Sequence, residues 1–127
     1  NAAQSWLAQR MAAVAGPHHS LDEVKKLVAA GSFHVMRGRA MDLLVPPMTY
    51  VAARAFIAAA IQMLTVANFT KTVPLTYDVA DEYGISIDGV GWYIKLCIDH
   101  DVPEVAVISF HPPQWPMRTR AGTVNPP

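Results

Sequence analysis

This sequence has almost no cysteine: Cys97 stands alone in a chain of 127 residues. A single thiol excludes an internal disulfide framework and fits a reducing cytoplasm, where the fold must rest on packing. No Cys/His set has zinc-finger spacing, so no metal site is expected. Charge is also scarce, at 16% Asp, Glu, Lys and Arg with a formal net charge of zero. That balance argues against a chain that holds nucleic acid by bulk charge. No long hydrophobic run is uninterrupted. The most apolar stretch, Val51–Phe69, contains Arg54, Gln62 and Asn68 and follows Pro46–Pro47. It reads as a buried core helix, not a membrane span. The N-terminus has no basic region followed by a long apolar run, so no signal peptide is expected. Gly-rich phosphate loops and a Ser/His/Asp order are missing too, since Gly89 and Gly91 sit among hairpin residues.

What the chain does have is a 52% hydrophobic composition, enough for one folded domain with one core. Its charge is unevenly spread. Up to Lys71, seven basic residues (Arg10, Lys25, Lys26, Arg37, Arg39, Arg54, Lys71) face three acids (Asp22, Glu23, Asp42). The remainder is acidic by the same margin. An RNA site would draw on the first part, and the acidic part suits a basic partner.

Ala3–Val14 has helical periodicity and is stopped by Gly16–Pro17, which makes residues 1–16 an N-terminal helical arm. His18–Gly31 (HHSLDEVKKLVAAG) then reads as a short amphipathic helix. Ser20 and Glu23 form a capping box, Leu21, Val24, Leu27 and Val28 share one face, and Gly31 supplies the left-handed stop. Ser32–Arg37 is extended and ends in the basic pair Arg37 and Arg39. Met48–Val66 is the long helix, apolar nearly all round, as suits a helix pinned on a sheet. After it the period changes to two over Phe69–Leu75, Gly84–Asp88, Val90–Asp99 and Val105–Phe110. Asp88–Gly89 marks a hairpin turn. Helices first and a meander afterwards give an α+β fold: an antiparallel sheet of about four or more strands with two or three helices on one face. The main domain then covers 17–111. The Pro-rich tail 112–127 lacks core periodicity and should be loosely ordered or draped over the surface.

Several residues could carry chemistry. Lys71 alternates with Phe69 and Val73, which would put an ammonium on the buried row, where a missing partner is costly. Alternatively it faces solvent and Thr70 and Thr72 turn inward. In the third late strand Trp92, Ile94 and Leu96 should face the helices, leaving Tyr93, Lys95 and Cys97 on the opposite face. There Lys95 would lower the Tyr93 phenol from about 10, letting the pair bind phosphate and donate a proton. His111 follows the last strand and suits either acid or base chemistry.

Four segments together resemble the MqsR family of RNA-cleaving toxins from bacterial toxin–antitoxin pairs. They are HHSLDEVKKLVAAG, Asn68–Thr72 (NFTKT), Trp92–Ile98 (WYIKLCI) and Val107–Phe110 (VISF), in the family's order and near its spacing. The similarity covers roughly His18 to His111. It implies a RelE-like toxin architecture and a metal-independent endoribonuclease that cleaves single-stranded mRNA, without cofactor or membrane. It also implies a cognate antitoxin protein as the silencing partner. By the same resemblance Lys71, Tyr93 and His111 are the catalytic candidates, with His111 standing where the family has another basic residue. His18, Arg37, Arg39, Tyr83 and Lys95 would bind RNA, His18 and Tyr83 by matching a family histidine and aromatic. The family also has a functional glutamine shortly before that tyrosine. Here the local sequence is Asp78–Val79–Ala80–Asp81–Glu82–Tyr83, with Ala80 as the nearest formal match. Asp81 or Glu82 then takes a new role, or RNA recognition differs, or activity is weakened. The alternative function is therefore an eroded MqsR-like binding protein.

Overall fold

Ser20 accepts a hydrogen bond from the Glu23 backbone N–H at 3.3 Å, and this cap starts helix α1 (Leu21–Ala29). The computed structural model describes residues 16–127, so the helix expected over Ala3–Val14 lies outside the described residues. Helix α1 ends before Gly31, whose φ of 78° is the expected left-handed stop. The extended stretch that follows contributes strand β1 (Phe33–Val35). A π-helical turn at Arg37–Met41 then leads into α2 (Asp42–Leu44). Thr49 caps the long helix α3 (Tyr50–Met63) by accepting from the Ala52 N–H at 3.1 Å. Only one stripe of α3 is buried, formed by Ala53, Ile57, Ala60 and Ile61, while Val51 remains 81% exposed. The expectation of a helix apolar on all sides and buried accordingly is thus narrowed to one face.

Strands β2 (Phe69–Pro74), β3 (Val79–Ile87), β4 (Val90–Asp99) and β5 (Glu104–His111) form an antiparallel meander. Strand β1 joins its far edge in parallel with β5, giving a five-stranded sheet of order β1-β5-β4-β3-β2. The fold is α+β with a mostly antiparallel sheet, as the periodicity implied. Asp88 and Gly89, at φ 51° and 81°, make the tight turn between β3 and β4. Strand β3 begins at Val79, five residues before the alternating stretch suggested. Its early half contains Asp81 and Glu82, which pattern reading places in a solvated connection.

The helices cover one sheet face. Val24 and Val28 of α1 and Ile57 and Ile61 of α3 meet Ile94, Leu96, Ile98, Val105, Val107 and Phe110 of the sheet. Burying each such side chain contributes about 1.5–3 kcal/mol. Trp92 stacks on Phe110 with ring centroids 4.9 Å apart and takes Phe56 edge-on at 5.3 Å. Trp92, Ile94 and Leu96 therefore face the helices as expected. Arg54 ties α3 to β1: its guanidinium lies 3.6 Å from the Phe33 ring centre and donates to the Phe33 and Gly31 carbonyls. Among the described residues no helix is long and apolar enough to cross a membrane.

The tail departs from the loosely ordered reading and matches the draped one. Met117–Thr119 (β6) and Gly122–Val124 (β7) pair as a hairpin, and Ala121 N–H reaches the Ala67 carbonyl at 3.0 Å. Val124 is buried. The hairpin fits because β3 and β4 carry glycine beneath it. A Cβ on Gly91 would lie 2.7 Å from the Asn125 carbonyl oxygen and 2.8 Å from Val124, and one on Gly84 would press on Met117 at 3.2 Å. We expect Gly91→Ala to lower stability by about 1–3 kcal/mol through this overpacking. Urea denaturation measures the loss, with Gly38→Ala as control because nothing lies within 4 Å of its added Cβ. Unchanged stability in Gly91→Ala would mean that the tail is not held against the sheet.

Candidate functional site

Two β-bulges decide which side chains reach the sheet face away from the helices. In β2, Phe69 pairs with Tyr83 but Lys71 pairs with Glu82, so Thr70 is an extra residue. Phe69 then shares the helix-facing row with Tyr83, and Lys71 crosses to the open face. In β5, Ser109 pairs with Lys95 while Val107 pairs with Leu96, which makes Ile108 extra. That slip turns Ser109 and His111 to the open face and sends Phe110 into the core. A bulge re-aims side chains in this way by breaking the strict two-residue period. Lys71 is thus exposed, as the solvent-facing reading of its strand has it, and Thr72 turns to the Asp81 side, but Thr70 stays at the cleft.

The open face carries a cleft of about 600 Å³. Its floor is Thr70, Lys71, Glu82, Tyr93 and His111, Arg39 closes one side, and the tail segment Pro113–Arg118 forms the rim. Lys71, Tyr93, His111 and Arg39 are thereby brought together. Arg39 comes from the π-helical turn, which packs against β5 at the end that carries His111.

Glu82 is the residue sequence reasoning did not assign. It is 9% exposed, and its Oε1 accepts a hydrogen bond from the Tyr93 hydroxyl at 2.5 Å. Thr70 Oγ1 donates to the Glu82 carbonyl at 3.0 Å, pinning the bulge at the same residue. The available signal was the place of Glu82 two residues after Ala80, the formal match to the glutamine that the resemblance expects. The phenol of Tyr93 is pushed well above its ordinary range by burial, then by its bond to Glu82 and that carboxylate's charge; Arg39 opposes this. The expected lowering of the Tyr93 phenol by Lys95 is therefore reversed, because the phenol is buried and its hydroxyl touches Glu82. Tyr93 stays a neutral donor.

His111 stacks on Tyr93 with ring centroids 5.0 Å apart and planes 25° apart. Its Nδ1–H donates to the Pro112 carbonyl at 2.8 Å, because a carbonyl can only accept. Nε2 is then left to accept, and it lies 3.5 Å from Arg39 Nη2, which can donate to it. Lys71 makes no ion pair within 4.0 Å among the described residues.

The other expected contacts lie elsewhere. Tyr83, matched to an RNA-binding aromatic, is fully buried on the helix-facing side, edge-on to Phe69, and so cannot meet RNA. Arg37 faces solvent and pairs with Asp42 at 3.4 Å. Lys95 is on the open face between Glu82 and Ser109 but does not line the cleft. His18 stands before α1, its ring 4.8 Å from that of His19. Asp81, the neighbour of Glu82, faces the helices. Its carboxylate accepts from the His18 and His19 backbone N–H groups at 2.9 and 2.8 Å and from Thr72 Oγ1 at 2.6 Å.

Comparison of the chain with protein-family models and with curated proteins finds no match.

The phenols make a testable prediction. Burial raises Tyr83 as well, with the Asp81 charge adding to it. Both groups hold their protons longer folded than unfolded, so their contribution is complete below pH 10 and is lost as pH rises further. Stability should therefore fall above pH 10, with a shallower slope in Tyr93→Phe, measured by denaturation at stepped pH. In Glu82→Gln, ultraviolet titration should show one phenol ionising at lower pH. No change there would remove the Glu82–Tyr93 coupling.

Proposed function

We propose that this protein is an MqsR-like endoribonuclease that cleaves single-stranded mRNA by acid–base chemistry of its own side chains. The observation that carries the reading is the placement of Glu82 and His111 on either side of Tyr93, in one cleft with Lys71 and Arg39. Phosphodiester cleavage by a neighbouring 2′-hydroxyl needs a base, an acid and cations near the phosphate. Glu82 is the base and takes the 2′-hydroxyl proton. The freed oxygen attacks phosphorus, and the bond to the 5′-oxygen breaks. His111 hands a proton from Nε2 to that leaving oxygen, giving a 2′,3′-cyclic phosphate and a 5′-hydroxyl.

Tyr93 is a poor acid for this step, because its anion would form against the Glu82 carboxylate. It orients Glu82 and stacks on His111. Lys71 and Arg39 balance the negative charge that grows on the phosphate oxygens. Trp115, 78% exposed on the rim, offers a base a stacking surface, which suits single-stranded substrate. A cognate antitoxin belongs to the same proposal, with the acidic second part of the chain as the side that would meet a basic partner. Action in the cytoplasm is likewise part of it.

The test is cleavage of a long unstructured RNA with EDTA present. Wild-type protein should cut at recurring sites and leave cyclic-phosphate ends. Glu82→Gln, His111→Ala and Lys71→Ala should each lose about 100-fold or more in rate while remaining folded. Expression of the wild type alone should arrest growth, and Lys71→Ala should not. No cleavage by folded wild-type protein would leave the eroded binding protein as the reading to keep.

A further inference from the structure

A second cluster of metal-competent side chains lies outside the cleft, where the chain enters α1 and meets the loop before β3. One donor atom from each of His18, His19 and Asp78 lies within 4.8 Å of the other two. None of these residues lines the cleft. We propose that His18, His19 and Asp78 form a binding site for a divalent cation of the Zn²⁺ type.

The argument rests on His19. It is 2% exposed, and its Nε2 lies 2.9 Å from the Val79 carbonyl oxygen, to which it must donate. The lone pair of this imidazole is therefore on Nδ1. That atom is buried and meets no hydrogen-bond partner among the described residues. A buried acceptor left unmatched is costly, and a cation would relieve it. A histidine whose second nitrogen donates to a backbone carbonyl is also oriented as metal ligands commonly are.

The other two donors are exposed, so the site is open to solvent on one side. Asp78 is held by its own neighbour: Oδ1 accepts from the Val79 N–H at 2.7 Å, leaving its other oxygen available. The backbone that presents both histidines is itself clamped, since His18 and His19 N–H groups bond the two oxygens of buried Asp81. Donors are thus supplied by two segments about sixty residues apart, already fixed against each other. Two imidazoles and one carboxylate favour Zn²⁺, Co²⁺ or Ni²⁺ over Mg²⁺ or Ca²⁺, which prefer all-oxygen sets. With three protein donors, a tetrahedral Zn²⁺ would keep one position for water. Two adjacent histidines carry no metal-site signal in the sequence, because the third donor comes from a distant loop.

The test uses full-length protein stripped with chelator and titrated with ZnCl₂, read by calorimetry, thermal melting and histidine NMR. We expect one Zn²⁺ per chain, a Tm higher by several degrees, and shifted His18 and His19 resonances. His18→Ala and Asp78→Asn, both at exposed positions, should weaken Zn²⁺ binding at least about tenfold without altering the metal-free melt. His34→Ala, at a histidine paired with Glu104 on the sheet edge, should change nothing, and Mg²⁺ should leave Tm unmoved. Absence of Zn²⁺ binding, or binding that both site variants leave intact, overturns the proposal. An equal loss in His34→Ala also overturns it, as general surface histidine binding. None of these readouts depends on RNA cleavage.

Discussion

The bulges at Thr70 and Ile108 are the constraint on which the open sheet face depends. Strand side chains alternate strictly, so an unbroken β2 would bury Lys71 beside Phe69, and an unbroken β5 would send His111 to the face its new register avoids. Each extra residue removes one conflict. Phe69 and Phe110 go to the core, where burial favours them, and Lys71 and His111 go to the cleft. The helix-facing core therefore drives the arrangement of the opposite face. Hydrophobic residues that must be inside force the register breaks, and the polar residues follow.

Strand β3 shows the same logic within a single strand. Asp81 and Glu82 are adjacent, so the pleat points them to opposite sides. Asp81 meets two backbone N–H groups and a threonine hydroxyl beneath the sheet, and these satisfy a fully buried carboxylate. Glu82 meets Tyr93 in the cleft. One acid clamps the entry to α1 and the other accepts a hydrogen bond from a buried phenol. The tail completes the site from outside. Gly84 and Gly91 clear space for its hairpin, and the hairpin carries Pro113–Arg118 to the rim.

Much of this was legible in the chain. The capped helix, the long helix, the Asp88–Gly89 turn and the row Trp92, Ile94, Leu96 all follow from local rules that act over a few residues. Of the residues singled out from the sequence, Lys71, Tyr93, His111 and Arg39 line one cleft. Glu82 was left as one of two alternatives with Asp81, because an acid before an aromatic reads as a connection, and only pairing to β2 and β4 makes it a buried strand residue. Tyr83 was misplaced for a related reason: its partner across the bulge is Phe69, which fixes it on the core side.

By itself the sequence determined the class of fold, the order of its elements and the residue types available for chemistry. Those depend on period, caps and turn residues, which are properties of neighbours along the chain. Only the tertiary structure decided which face Lys71 and His111 occupy, that burial and then Glu82 raise the Tyr93 phenol, and that Asp78 comes to the two histidines. Each of these depends on register and on contacts between residues far apart in sequence, and a one-residue shift in register reverses the outcome.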